Sequence, residues 1–147
     1  LASFDFSAKA KKLTCGTTPC TPEQVLTIAS MAESEVNQAT PDGQQVAEGI
    51  LKRLREGDAL RIDSTAMYYL QSRKSPTANQ VKDPNDPYST YAHKGLPPGP
   101  VAIPSKDMIT AVLNPTHGGW YYWCSKDGGT KFFLENQGAQ QSAYCRS

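Results

Sequence analysis

Three stretches of the chain carry apolar residues at helical spacing. The first follows Thr21 and Pro22, and its apolar positions are Val25, Ile28, Ala29, Ala32 and Val36. This spacing predicts a helix with one buried face. Thr21 is a suitable N-cap, Pro22 suits the first helical position, and Gln24 completes a capping box.

A second helix is predicted to begin near Asp42 and to end at Gly57, with charged residues on its outer face. Its apolar face would be formed by Val46, Ala47, Ile50, Leu51 and Leu54. Ser105 can cap a third helix over residues 106–114, which Pro115 ends.

The remaining segments are mostly irregular. Residues 1–20 show no sustained period and are interpreted as an arm or an early strand pinned by a small cysteine loop. Residues 72–87 are polar and broken by prolines, which predicts a long surface loop, and the prolines within 88–104 exclude regular structure there. In "WYYWCSKDGGTKFFL" two aromatic runs flank residues 126–129, a pattern typical of a β-hairpin. The order of elements predicts an α+β fold with a helical first half, a proline-rich loop wall and a C-terminal aromatic hairpin.

Length and charge narrow the classes of function. With 147 residues and a net charge of +1, the chain is one domain, which we divide into an arm or linker, 1–20, and a folded domain, 21–147. No basic block appears, which argues against nucleic-acid binding. No apolar run reaches about 18 residues, so the chain as given is not expected to span a membrane. The isolated His93 and His117 offer no spacing for a metal site.

Four cysteines are present, an even number that favours disulfides and an oxidising compartment: Cys15, Cys20, Cys124 and Cys145. The first two are spaced too widely for a redox C-x-x-C motif, and the two tight pairs of a typical four-cysteine zinc site are absent. Of the three possible pairings we favour Cys15–Cys20 with Cys124–Cys145.

Two carboxylates, Glu33 and Glu35, stand near the end of the first predicted helix among small and apolar residues. A helix turns by about 100° per residue, so the two lie on opposite margins of the apolar stripe, each roughly 80° from its centre. They therefore cannot share one site, and spacing alone does not choose between them. A partly buried carboxyl in such a place tends to have a raised pKa, which suits a general acid. The alternative is that both are boundary residues that make caps or salt bridges.

The order of motifs resembles one known family. "IASMAESE" is similar to the A-S-[hydrophobic]2-E-x-E helix of the endolytic murein transglycosylases, the YceG-like or MltG-type family. "QQVAEGILKRLREGDALRIDSTAMYYL", "PYSTYAHKGLPPGPVAIPSKDMITAVLNPT" and "WYYWCSKDGGTKFF" resemble later motifs of the family in the same order. The G-L-P-P-G-P run with L-N-P behind it is highly specific, and the resemblance covers residues 24 to about 134.

The resemblance implies an enzyme that cleaves the β-1,4 bond between N-acetylmuramic acid and N-acetylglucosamine inside glycan strands. It leaves 1,6-anhydromuramoyl ends, uses no water and needs no cofactor. The catalytic acid/base would be the first glutamate of the E-x-E motif, here Glu33, with Glu35 as a structural or electrostatic partner. The remaining supporting or substrate-binding positions would be Asp63, Ser64, Thr65, Tyr68, Thr90, Tyr91, Gly95, Leu96, Pro97 and Asn114. Of these, residues 95–97 belong to a rigid cleft wall, and Asn114 is expected to be a helix cap more than a cleft residue.

This sequence also departs from the family pattern. Ser64 stands where the family has proline, Ser89 stands where it has asparagine, and the histidine of the family's C-terminal T-x-x-E-H is missing. The family's membrane helix and small LysM-like domain are not in this chain. We therefore expect a location in the cell envelope, outside the cytoplasm, with anchoring to the cytoplasmic membrane through a segment beyond this chain.

The expected partners are peptidoglycan strands and, by family analogy, membrane-bound peptidoglycan synthases. The alternative function is a non-catalytic glycan-binding or scaffolding domain of the cell-wall synthesis machinery that uses the same cleft.

Overall fold

The computed structural model describes residues 6–70, 77–126 and 128–146, and for residues 67–70 only the backbone. In chain order the described helices and strands are α1 (Phe6–Ala10), β1 (Thr14–Cys15), β2 (Thr18–Pro19), α2 (Pro22–Glu35), α3 (Gln44–Glu56), α4 (Asp63–Leu70), α5 (Ala78–Val81), α6 (Lys106–Val112), β3 (Trp120–Lys126), β4 (Gly129–Leu134) and α7 (Gly138–Arg146). An irregular turn, Ala39–Gly43, leads into α3, and a short turn of 3-10 helix, Glu135–Gln137, leads into α7.

The three predicted helices form where the local signals place them. In the capping box of α2, the Thr21 hydroxyl accepts the Gln24 N–H at 3.1 Å, and the Gln24 side chain accepts the Thr21 N–H at 2.9 Å. Helix α3 begins two residues after Asp42 and ends at Gly57, whose φ of 69° lies in the left-handed region that glycine adopts readily. The Ser105 hydroxyl caps α6 by accepting the Met108 N–H at 3.1 Å.

The core lies between α2, α3 and α6, with the hairpin packed against α3. Its largest fully buried aliphatic side chains are Ile28, Met31, Ile50, Leu60 and Met108. Strands β3 and β4 pair antiparallel, with Trp123 opposite Phe132. Gly49 lets the hairpin approach α3, because a Cβ there would lie 3.0 Å from the Trp123 ring. The α+β prediction is confirmed; Asp127 of the predicted hairpin turn lies outside the described residues.

The N-terminal segment packs onto the rest of the domain. Residues 6–20 form α1 and the β1–β2 ribbon, where a single arm or strand was expected, and Ala10 and Cys20 are buried in the core. The predicted boundary at residue 20 stays a prediction.

Helices α4 and α7 are additions to the sequence-based picture. The predicted surface loop contains the short helix α5, and its residues 72–76 lie outside the described part of the chain. The disulfides Cys15–Cys20 and Cys124–Cys145 are both present, as predicted, and the second ties α7 to β3. In the described residues we find no helix with the length and apolar character needed to cross a bilayer.

Candidate active site

An open cavity of about 820 Å³ lies where the end of α2, the α3–α4 connection, β3 and α7 meet. Six separate parts of the chain contribute polar side chains to its lining. These include Ser34, Glu35, Arg53, Asp63, Tyr91 and Gln141, together with the aromatic Tyr122 and Trp123.

Glu35 is the carboxylate that α2 presents to this cavity. Its Oε1 accepts the Trp123 Nε1–H at 3.0 Å. Burial raises the pKa of Glu35; the Trp123 N–H and the Ser64 hydroxyl oppose the rise, Asp63 adds to it, and the Arg53 charge opposes it. The carboxyl therefore stays protonated to a higher pH than an ordinary glutamate, which is the state that a general acid needs.

Helix α4 begins at the cavity with Asp63, which lines it, followed by Ser64 close to Glu35. Asp63 Oδ1 accepts the Tyr91 hydroxyl proton at 2.7 Å. Burial, followed by this carboxylate, raises the pKa of Tyr91, so its phenol remains a proton donor at neutral pH. The Ser64 hydroxyl is buried close enough to Glu35 to favour the ionised carboxyl, yet it makes no hydrogen bond of normal geometry with any described residue.

Thr65 and Thr90, also predicted, lie beneath the site. The Thr90 hydroxyl accepts the Ile62 N–H at 2.8 Å, the Thr65 hydroxyl donates to the Ile62 carbonyl at 2.9 Å, and the two hydroxyl oxygens are 3.2 Å apart. Together they hold the turn in which Arg61 adopts a left-handed φ of 52°. Their contact with the cavity is indirect, through the position they give to Asp63.

Glu33 points to another part of the molecule. Its Oε1 accepts the Ser105 N–H at 2.7 Å, directly at the start of α6. It is not among the residues that line the cavity of Glu35, in agreement with the expectation that the two carboxylates cannot share a site. The acid/base role of Glu33 stays a prediction, and this geometry favours Glu35 over it.

The proline-rich residues line a different cavity from the one expected. Gly95, Leu96 and Pro97 face a second space of about 820 Å³, which they share with the first turn of α2 and the loop at Cys15. None of the described residues lines both cavities. These residues therefore line a cavity, but not the one that contains Glu35, and their role as a substrate-binding wall stays a prediction.

The Asn114 side chain donates to the Thr110 carbonyl at 2.8 Å, so it caps the end of α6 and lines neither cavity. The side chain of Tyr68 lies outside the described residues.

Sequence reasoning missed several contributors to the cavity, among them Trp123, Arg53 and Gln141. Trp123 was recognised only as one of four aromatic residues along a strand, and Arg53 was placed on the solvent face of its helix. Gln141, which donates to the Trp123 carbonyl at 2.8 Å, stands in a polar stretch with no helical stripe. The available signal was the alternation of side chains between the two faces of β3, which places Trp123 and Tyr122 on opposite faces. This alternation does not identify what the Trp123 ring contacts.

Comparison with known proteins decides the family. The family model described as the YceG-like family matches residues 2–144. The chain belongs to the YceG-like family. A YceG-like crystal structure from Listeria monocytogenes superposes with a TM-score of 0.71 at 28% identity, covering 82% of this chain and 40% of that one.

Two curated relatives carry the name endolytic murein transglycosylase. The protein from Bacillus subtilis is 29% identical over 112 residues, which is 76% of this chain and 31% of the relative. The protein from Streptococcus pneumoniae is 28% identical over 144 residues, which is 93% of this chain and 26% of the relative. This YceG-like chain thus spans a third or less of the length of these relatives.

Proposed function

We propose that this domain is the catalytic unit of an endolytic lytic transglycosylase. It would cleave the β-1,4 bond between N-acetylmuramic acid and N-acetylglucosamine within peptidoglycan strands and leave 1,6-anhydromuramoyl ends. Family membership and the names of the curated relatives support this reaction class. The observation that carries the proposal is Glu35, a carboxyl with a raised pKa, held by Trp123 at the wall of an open cavity.

Glu35 takes part in two successive proton transfers. As an acid it protonates the oxygen that leaves from C1 of the muramoyl residue, and the C1–O bond breaks. The resulting carboxylate then takes the proton of the muramoyl C6 hydroxyl as that oxygen bonds to C1. The product is the anhydro ring, Glu35 is protonated again, and no water is consumed.

A single acid/base suffices for this reaction, whereas hydrolysis through a glycosyl-enzyme needs a second carboxylate as nucleophile. Asp63 lines the same cavity, and Tyr91 donates a hydrogen bond to it. In the proposed mechanism Asp63 stabilises the positive charge that develops at C1, and the Tyr91 phenol fixes its orientation. Ser64 supports Glu35, and Thr65 and Thr90 support the turn that carries Asp63.

The proposed place of action is the cell envelope, outside the cytoplasm, with peptidoglycan strands as substrate. Two disulfides support an oxidising compartment. Anchoring through a segment beyond this chain and association with peptidoglycan synthases are part of the proposal by family analogy only.

Digestion of nascent strands by the wild type, Glu35→Gln and Glu33→Gln tests the assignment, with mass spectrometry to count anhydromuramoyl ends. We expect Glu35→Gln to lose about 10²–10⁴-fold in rate, the range typical of a general acid/base. Glu33→Gln should remain within about tenfold of wild type, because its carboxyl supports α6 at a distance from the cavity.

The other outcomes are equally informative. An inactive Glu33→Gln beside an active Glu35→Gln would restore the assignment made from the motif. Reducing ends in place of anhydro ends would indicate a hydrolase. Tight binding of strands with no cleavage by the wild type would favour the scaffolding function.

A further inference from the structure

Arg53 is a buried cation in the wall of the cavity. Its side chain is 4% exposed. One terminal nitrogen donates to the Leu60 carbonyl and the other to the Tyr121 carbonyl, the latter at 2.7 Å. Its Nε has no hydrogen-bond partner among the described residues, and neither ion pair found there includes Arg53.

These contacts exclude a role as a direct anchor for a substrate anion. Both terminal nitrogens are engaged by backbone carbonyls, and the little exposed surface leaves no room for a bidentate contact. A role in packing alone is also a poor explanation. A buried charge without a carboxylate partner is costly, and an apolar residue of similar volume usually stabilises a core better. The charge therefore has another use.

The surroundings of Arg53 lead to Glu35. The guanidinium carbon lies 5.3 Å from the centre of the Trp123 ring and 4.8 Å from that of Tyr122. Trp123 in turn donates its Nε1–H to Glu35. Arg53 thus supports the ring that positions the carboxyl, and it supplies positive charge to the same cavity.

We propose that Arg53 is a positioning residue that holds Trp123 against Glu35 and stabilises the carboxylate that exists between the two proton transfers. The inference rests on the proposed function of Glu35. Burial and Asp63 both favour the protonated acid, which helps the first transfer and hinders the release of the proton. The Arg53 charge opposes this bias and favours the carboxylate that must next act as a base.

The other groups near Glu35 set the background for any pH effect. Asp63 comes from α4, Arg61 from the α3–α4 connection, and Tyr91 from the loop after α5. The described residues of β3 and α7 that line the cavity carry no charge. Arg53 is therefore the cation that α3 contributes to the cavity. Replacing it by a neutral residue changes one charge and leaves Asp63 and Arg61 in place.

The test is a titration of Glu35 by NMR with ¹³C-labelled glutamate, in which the signal is identified by its loss in Glu35→Gln. In Arg53→Met we expect the pKa of Glu35 to rise, because a positive charge that favours the carboxylate is lost. Arg53→Lys should keep a pKa close to wild type, because it keeps the charge. Arg55→Met, on the exposed face of the same helix, is the matched control and should change nothing.

Activity supplies the second readout. In Arg53→Met the alkaline limb of the pH profile of kcat/KM should shift to higher pH by the same amount as the pKa measured by NMR. In Arg53→Lys it should not shift. Arg53→Lys should still lose about tenfold in kcat, because a lysine cannot donate to both carbonyls while stacking on Trp123.

Each result has one meaning. An unchanged pKa of Glu35 in a folded Arg53→Met or Arg53→Gln would overturn the inference. Loss of the fold in both neutral variants would also overturn it and assign Arg53 to structure alone. An active Glu35→Gln would instead refute the proposed function, whatever the titration of Arg53 variants shows.

Discussion

The two glutamates at the end of α2 are two residues apart, yet their carboxyls meet different surroundings. Glu33 accepts a backbone N–H at the start of α6, where a negative charge is favourable. Glu35 lies beside the Trp123 indole in a cavity, where burial raises its pKa. The same functional group is thus a cap in one case and a candidate acid in the other.

Glu35→Gln should make the protein more stable at neutral pH. The pKa of Glu35 is raised in the folded state. Its contribution to the free energy of unfolding is therefore fully favourable only below the ordinary glutamate pKa of about 4.3. That contribution is lost as the pH rises through the raised pKa. Glutamine does not ionise, so the variant avoids this loss. Thermal unfolding from about pH 4 to about pH 8 should show no difference at the acid end and a higher Tm for the variant at the neutral end.

Glu33→Gln is the control for this experiment. It removes a charge next to the N-terminus of α6 and should cost about 0.5 kcal/mol at neutral pH. A gain in Tm for Glu35→Gln that is independent of pH would contradict the account, because packing rather than ionisation would then be responsible.

The sequence predicted part of this arrangement. Helical rotation placed Glu33 and Glu35 on opposite margins of one stripe, and the structure has them on different sides of α2. Helical spacing alone could not show which glutamate is the acid, because that depends on Trp123, which lies 88 residues further along the chain. The motif order favoured Glu33, and the tertiary contacts favour Glu35.

At the scale of elements, α2 holds the irregular segment that leads into α6. Ser30 and Glu33 lie three residues apart on one face of the helix, and both accept backbone N–H groups from this segment. The buried Ser30 hydroxyl accepts the Val101 N–H at 2.9 Å and donates to the Thr27 carbonyl at 2.7 Å. A stretch with so many prolines has few donors of its own, so its position depends on such side chains.

Ser30→Ala should therefore destabilise the domain by about 1–3 kcal/mol, the cost of leaving a buried N–H without a partner. Ser34→Ala is the matched control, because that exposed hydroxyl donates to a carbonyl of its own helix at 3.1 Å and should contribute less than about 0.5 kcal/mol. Urea unfolding measures both. Equal losses for the two variants would show that Val101 finds another partner.

The elements that were predicted and those that were missed differ in how local their signals are. Helices α2 and α6 and the hairpin carry caps, apolar stripes or turn residues within their own sequences. Helix α7 has no buried residue among those described, and its position depends on the Cys124–Cys145 bond and on Gln141. Helix α4 is only 8 residues long and starts at Asp63, directly after an irregular connection. Such elements are fixed by tertiary contacts, which one sequence does not display.

At the scale of the whole molecule, the two disulfides restrain very different lengths of chain. Cys15–Cys20 closes a separation of 5 residues beside the second cavity, and Cys124–Cys145 closes a separation of 21 residues. Only the second of these bonds joins two walls of the cavity that contains Glu35.

Replacing each pair by alanine should separate stability from activity. Loop-closure entropy predicts losses of about 2 kcal/mol for Cys15–Cys20 and about 3 kcal/mol for Cys124–Cys145. The first variant should keep its rate on glycan strands, because its bond lies at the other cavity. The second should lose rate even at temperatures where it is fully folded, because α7 is then released from β3 and Gln141 no longer fixes the Trp123 carbonyl. Thermal unfolding and the release of anhydromuramoyl ends should be measured on both variants. The account would be contradicted if each variant lost activity only in proportion to its loss of stability.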